Sequence, residues 1–560
     1  MVLTLFTPPI CLRATQHVTL PQKISNLSQK ASSMKKTILT VLSCVTALVG
    51  SAQTLSNTPV STFEELEDGG IYALKTINDK ASNGGWYYRN NNFYFTLNPN
   101  DVMPGSKVSA DNNKYLWKVY KNTTDQTIAL VNMYDGVYMA STTGNVDNIN
   151  SNNNCDQNIG YLHFEASTKH EGYSNLYILN GSNKYYATAN NGGKLGYWTL
   201  EAAAGNQGCV QFYKINDPEN IALSVTPNKP CLLRIGDGEE HSVGGYIYAT
   251  DGSALTMNGQ TANLSTLGSE WIFEGDYANG FKIVNASSKK VLGVNTSNLA
   301  TNERTKLALY DADNTDSNVS TLWDVTGNTF ISGSFNLHVK GSIRDRVNDN
   351  SGLAFWKTGV GKGSALRVYN NVDITLTEVG SNTYATTYLP FAVTVPEGIN
   401  AYTATINNEH NSIELTKIED VIPAETGVIL EGTATSAALP LTTTEGTASK
   451  GGLVGTLTNK TITAGTTDYL VLGTKDGALG FYLPNAASTS IGANKAYFEL
   501  NGQASAMGYA INFGTVTGIA SATINKQNST NACYDLSGRR ITSPVKSGLY
   551  ISNGKKIIIK

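Results

Sequence analysis

The sequence is poor in charge. Of its 560 residues only 15% are Asp, Glu, Lys or Arg, and the net charge is -3. No basic stripe or basic tail is present; Lys35–Lys36 and Lys555–Lys556 are local pairs. Binding a polyanion requires clustered cations that displace counterions, so no nucleic-acid partner is expected. Helical periodicity is missing too. After residue 65 no long stretch places apolar residues at i, i+3, i+4 and i+7, which excludes a helical fold. No apolar run reaches the ~20 residues of a membrane-spanning helix, so no integral span is expected in the mature chain.

Cysteine and histidine are scarce, at 6 each. Cys11 and Cys44 lie in the N-terminal region, leaving Cys155, Cys209, Cys231 and Cys533 without CxxC spacing, which disfavours zinc. Cys155 and Cys209 either pair in an oxidising compartment or stand as buried thiols. No HExxH or GxSxG occurs. "TGVGKGS" from Thr358 misses the phosphate-loop spacing and has no helix after it, so it reads as a turn. "DADNTDS" from Asp311 lacks the Gly and terminal Glu of a calcium loop and reads as a solvated loop, as does "DGEEH" from Asp237. No cofactor, metal or catalytic residue is expected, and the chain is read as non-enzymatic.

Hydrophobic residues reach 40%, with 29 Tyr and 53 Gly. Such a chain is globular rather than disordered. Tyr and Thr favour strands, Gly and Asn favour turns, and the fold class is therefore all-β. At about 150 residues per domain, the length allows three or four domains. From Met34, "MKKTILTVLSCVTALVGSAQ" has two lysines, an apolar run to Val49 and then small residues. This is the three-part pattern of a secretory leader, with cleavage expected between Ala52 and Gln53 and residues 1–33 as an upstream extension.

Internal repetition organises the middle of the chain. "IYALKTIND" from Ile71, "TIALVNMYDGVYMAST" from Thr127 and "LYILNGSNKYYATAN" from Leu176 each open a unit. The units close on Trp117/Val119, Leu162/Phe164 and Val210/Phe212. A second block closes on Trp271/Phe273, Trp323/Val325 and Leu366/Val368. Units of ~45 residues with four short strands cannot bury a core singly, but three can close one around a pseudo-threefold axis. Propeller blades have similar size, but a propeller needs at least four. Two tandem β-trefoils are expected.

The stretch "GFKIVNASSKKVLGV" through "STLWDV" resembles a unit of the ricin B-type lectin family. The Trp of that family's closing Q-x-W stands at Trp271 and Trp323; its Gln is replaced by Ser269 and Thr321. The resemblance implies trefoils, and implies glycan as partner. From Asp373, strands separated by Pro/Gly turns read as an antiparallel β-sandwich. The segment resembles an accessory module of secreted proteins from Bacteroidota-type bacteria. The end of the chain, from "YDLSGRR" at Tyr534 to "GKKIIIK", resembles a type IX secretion sorting signal. That resemblance implies the type IX machinery as partner and a secreted or outer-surface location.

The expected order is leader and extension 1–52, first trefoil 53–220, second trefoil 221–371, sandwich module 372–515, linker 516–530, and a short β-hairpin tail 531–560. Sugar sites need an aromatic face and hydrogen-bonding groups for paired hydroxyls. "NMYDGVY" offers Asn132, Tyr134, Asp135 and Tyr138; "NGSNKYY" offers Asn180, Asn183 and Tyr186; Trp86, Trp198 and Trp356 are further stacking candidates. Asn/Asp-Gly pairs also make hairpin turns without any ligand. The function expected is non-catalytic carbohydrate binding. The alternatives are a surface adhesin or structural protein, and a glycoside hydrolase or its accessory subunit.

Overall fold

The structure is a computed structural model. It describes residues 54–77, 85–89, 95–98, 110–139, 149, 151–152, 161–189, 194–199, 208–236, 244–250, 254–257, 269–297, 304–342, 345–349, 352–357, 360–407, 412–500, 508–511, 533–534, 540–541, 548–552 and 555–559. The leader, the cleavage point at Ala52 and Gln53, Cys155 and the 516–530 linker lie outside the described residues. Two compact units are present, Met1–Tyr509 and Ala510–Lys560. Among the described residues no helix is long and apolar enough to cross a membrane.

The first repeated block forms twelve strands: β1 Ile71–Thr76, β2 Gly85–Arg89, β3 Phe95–Asn98, β4 Leu116–Asn122, β5 Thr127–Asn132, β6 Tyr138–Met139, β7 Ser151–Asn152, β8 Leu162–Ala166, β9 Ser174–Asn180, β10 Asn183–Ala189, β11 Leu195–Thr199 and β12 Cys209–Lys214. The first and fourth strands of each unit pair in a ring. β1 pairs β4, then β5, β8, β9 and β12 follow in turn, and β12 returns to β1. A closed ring leaves no strand edge. The middle strands of each unit form its hairpins.

The second block repeats the plan with β13 Pro230–Ile235, β14 Gly245–Thr250, β15 Ala254–Met257, β16 Glu270–Asp276, β17 Gly280–Asn285, β18 Val291–Asn295, β19 Leu307–Tyr310, β20 Val319–Ser320, β21 Leu322–Asn328, β22 Ser334–Val339, β23 Asp345–Asp349, β24 Leu353–Lys357 and β25 Leu366–Tyr369. Here β13, β16, β17, β21, β22 and β25 close the ring. Both blocks are thus β-trefoils by strand pairing. The closing tryptophans are fully buried and play equivalent roles. Trp117, Trp271 and Trp323 each donate Nε1–H to a carbonyl on the second strand of their unit, at Tyr87, Ile247 and Leu292. A buried indole N–H needs such a partner.

The trefoils meet across a shared apolar cluster, while the first keeps a separate core around Tyr72, Trp117 and Phe212. Ile71, Ala73, Leu116 and Met133 of the first pack into the same apolar cluster as Trp271, Phe281 and Phe335 of the second. The strands at this seam lose the alternation of a one-sided sheet: β5 and β22 are buried at every position. Gly327 lies against the backbone of the first trefoil; a Cβ there would meet the Tyr134 carbonyl oxygen at 2.1 Å.

From Asn371 the chain enters other sheets. One five-stranded antiparallel sheet orders Thr377–Val379, Asn382–Thr387, Val428–Gly432, Asn400–Asn407 and Ser412–Ile418; a second orders Val454–Thr456, Lys495–Glu499, Tyr469–Lys475, Ala478–Tyr482 and Gly508–Ala510. The two touch where the Ala496 amide donates to Thr386 Oγ1 at 3.3 Å. The apolar core of the first sheet takes in Leu232 and Tyr246 of the second trefoil.

In the second unit, Cys533–Tyr534, Arg540–Ile541, Gly548–Ser552 and Lys555–Ile559 form a four-stranded antiparallel sheet. The expected hairpin is its Gly548–Ser552/Lys555–Ile559 pair; two shorter strands extend it. Asp535, Leu536, Gly538 and Arg539 of the sorting-signal pattern lie outside the described residues.

Candidate functional site

Strand register in the first trefoil builds a row of rings on one face. His163 on β8 stands opposite Tyr177 on β9, Tyr177 opposite Tyr186 on β10, and Tyr186 opposite Trp198 on β11. Residues directly opposite in neighbouring strands share a face. The His163 ring stacks on Tyr177 at 5.1 Å with an interplanar angle of 16°, and Tyr177 lies 5.5 Å from Tyr186. His163, Tyr177 and Trp198 are half-buried, while Tyr186 is sunk between its neighbours at 2% exposure. At ~4.8 Å per strand the row runs ~14 Å, longer than a single pyranose ring.

Charged groups cross this row. Glu165, on the same face of β8 as His163, accepts a hydrogen bond from the Tyr186 hydroxyl at 2.8 Å and pairs with Lys184. The Lys184 ammonium lies 4.3 Å from the Tyr177 centroid. Burial, reinforced by the bond to Glu165, pushes Tyr186 up to about 12. The Glu165 bond raises Lys184 above the usual lysine range. Burial lowers His163, against the opposing pull of Asp125. At neutral pH the face therefore carries a neutral imidazole, a protonated phenol and an ammonium beside a carboxylate. Asn180 and Asn183 face each other, exposed, at the β9–β10 turn.

Four sequence-predicted residues, Asn180, Asn183, Tyr186 and Trp198, thus lie on three neighbouring strands, β9, β10 and β11. Tyr186 contributes its hydroxyl chemistry rather than an open stacking face. Sequence reasoning missed His163, Glu165, Tyr177 and Lys184. The available signal was the alternation along each strand, but only register aligns one strand's outward positions with the next.

The "NMYDGVY" turn is a correction. Asn132, Asp135 and Tyr138 are buried at 0%, 2% and 1% exposure. Asn132 Nδ2 donates to the Lys114 and Leu116 carbonyls, and its Oδ1 accepts from the Tyr134 amide. Asp135 takes the Arg89 guanidinium at 2.7 Å, with both side chains buried. Tyr138 packs with Tyr120 and Val131. Tyr134 is half-buried under the Lys114 ammonium, and Gly327 of the second trefoil covers its carbonyl. The residue types of this turn suit a ligand grip, but the close approach of Gly327 from the second trefoil makes it a joint.

Trp86 is likewise withdrawn from solvent, at 2% exposure, enclosed by Lys75 at 5.1 Å and the edge of Tyr213 at 5.5 Å. Trp356 is half-buried in the second trefoil, away from the row. Arg304 sits 5.6 Å over its ring, and its Nε1 has no hydrogen-bond partner among the described residues. Cys231 is a buried thiol, its Sγ 3.4 Å from the Trp271 carbonyl oxygen.

No family model and no curated protein sequence matches the chain. Among solved structures, it is similar to a ricin B-like lectin from Macrolepiota procera in complex with lactose. That match has 12% identity, covers 26% of this chain and 96% of the lectin, and has a TM-score of 0.20. A designed threefold-symmetric protein matches at 13% identity over 25% of this chain and 96% of its own, TM-score 0.19. A GlcNAcα1-4Gal-releasing endo-β-galactosidase from Clostridium perfringens matches at 12% identity over 56% of this chain and 70% of its own, TM-score 0.22. The trefoil assignment rests on the strand pairings, not on these likenesses.

Proposed function

We propose that the chain is a secreted or surface-held carbohydrate-binding protein without catalytic activity of its own, and that β8–β11 of the first trefoil hold the glycan. The observation that carries this reading is the register that sets His163, Tyr177, Tyr186 and Trp198 side by side, with Glu165 and Lys184 across them. Ring faces cover the C–H side of a pyranose, a carboxylate accepts from its hydroxyls, and an ammonium donates to them. A row of this length suits a chain of sugars over a lone terminal residue. The test is a glycan array on the full chain beside Trp198→Ala and Tyr177→Ala. The reading expects both variants to lose the wild-type signal while keeping the wild-type melting profile.

Export rests on the leader pattern from Met34 and the tail pattern from Tyr534. We propose type IX delivery, with the C-terminal sheet as the part the machinery reads. Deleting residues 531–560 should leave the protein inside the cell envelope; unchanged appearance outside the cell would end that proposal.

A further inference from the structure

The sandwich module holds a second site of different chemistry. A cleft of about 420 Å³ opens at its two five-stranded sheets, within the range of small-ligand sites. Its polar lining is rich in hydroxyls and amide: Thr377, Thr386, Thr474, Asn485, Ser488 and Ser490. Apolar ground comes from Leu472, Leu479 and Ile491.

Two features point to an occupant. Lys495 lines the cleft, and no carboxylate lies within ion-pair distance of it among the described residues. Glu378, the acid that also lines the cleft, is solvent-exposed. Lys495 is itself solvent-exposed at the cleft mouth, and the partial desolvation it meets there lowers its ammonium below the usual lysine range; an anion beside it would be favoured. Gly473, inside the strand Tyr469–Lys475, lines the same cleft, and a Cβ built there would meet nothing within 4 Å. Glycine inside a strand weakens it and often marks where another molecule approaches the backbone.

We propose that this cleft binds a small hydroxylated carboxylate of the uronic-acid class, its carboxylate on Lys495 and its hydroxyls on the Thr and Ser side chains. The site is separate from the trefoil row and does not depend on it. Calorimetry on the full chain with glucuronate and galacturonate, against glucose and galactose, tests it. The acids should bind and the neutral sugars should bind at least about tenfold more weakly. Lys495→Met should weaken the acids by about tenfold to a hundredfold, the range of one charge-assisted hydrogen bond. Lys495→Arg should stay within a few-fold of wild type, and Trp198→Ala should leave uronate binding unchanged. Equal binding of acid and neutral sugar, no uronate binding, or indifference to Lys495→Met overturns the proposal. Loss of uronate binding in Trp198→Ala would place the ligand on the trefoil row instead and overturn it equally.

Discussion

Lys118 of the first trefoil and Asp324 of the second form an ion pair across the seam, Nζ to Oδ1 at 2.5 Å, with both side chains at 0% exposure. The same ammonium donates to the Tyr277 carbonyl at 2.6 Å. Burying two charges is costly unless their geometry is good and the remaining donors are used. Here the pair is buried at the seam where the two trefoils share an apolar cluster, so they should fold as one cooperative body.

Removing one partner leaves the other charged and unpaired. Lys118→Met or Asp324→Leu alone should cost about 3–5 kcal/mol, and the double variant clearly less than the sum. Denaturant unfolding of the four proteins measures this. Additive losses would mean that the pair is uncoupled.

Gly327 permits the close approach at the seam. Gly327→Ala drives a methyl into the Tyr134 carbonyl, and should cost at least about 3 kcal/mol. Gly333 is the comparison: its φ is +70° and a Cβ meets nothing within 4 Å, so Gly333→Ala should cost only about 1 kcal/mol, from backbone strain alone. Thermal melts of the two variants decide; equal losses would remove the steric account.

Glu270 sets a pH dependence. Burial pushes its carboxyl from 4.5 to about 7, opposed by Lys289, and its Oε1 has no hydrogen-bond partner among the described residues. The folded state holds the proton more tightly than the unfolded one. This contribution is therefore present below the unfolded value and is lost as pH rises from about 4.5 through 7, by roughly 3 kcal/mol at most. Glu270→Gln should flatten the fall in stability over that window and raise stability at pH 8. A melting series from pH 4.5 to 8 that is identical in both proteins would contradict this.

Much of the architecture was legible in the sequence because trefoil strands alternate. Trp117, Trp271 and Trp323 close units at a regular spacing and are buried as that spacing implies. What the sequence hid was exposure. Asn132 and Asp135 have the composition of a hairpin tip, yet both are buried, and Gly327 and Asn336, almost 200 residues further on, pack against Met133, Tyr134 and Gly136 of the same turn. The site suffered similarly. Tyr186 and Trp198 stood out by residue type, whereas His163, Glu165, Tyr177 and Lys184 acquire meaning only when β8, β9 and β10 fall into register.

The most direct test of the aromatic row is the dependence of binding on glycan length. Titration of one- to five-residue oligosaccharides of an array-positive glycan into wild type, Trp198→Ala and Trp356→Ala is the measurement. Affinity should climb up to about three sugar units, matching a ~14 Å row, fall at least about tenfold in Trp198→Ala, and stay unchanged in Trp356→Ala. Length-independent binding that survives Trp198→Ala would contradict the assignment of β8–β11 as the glycan face.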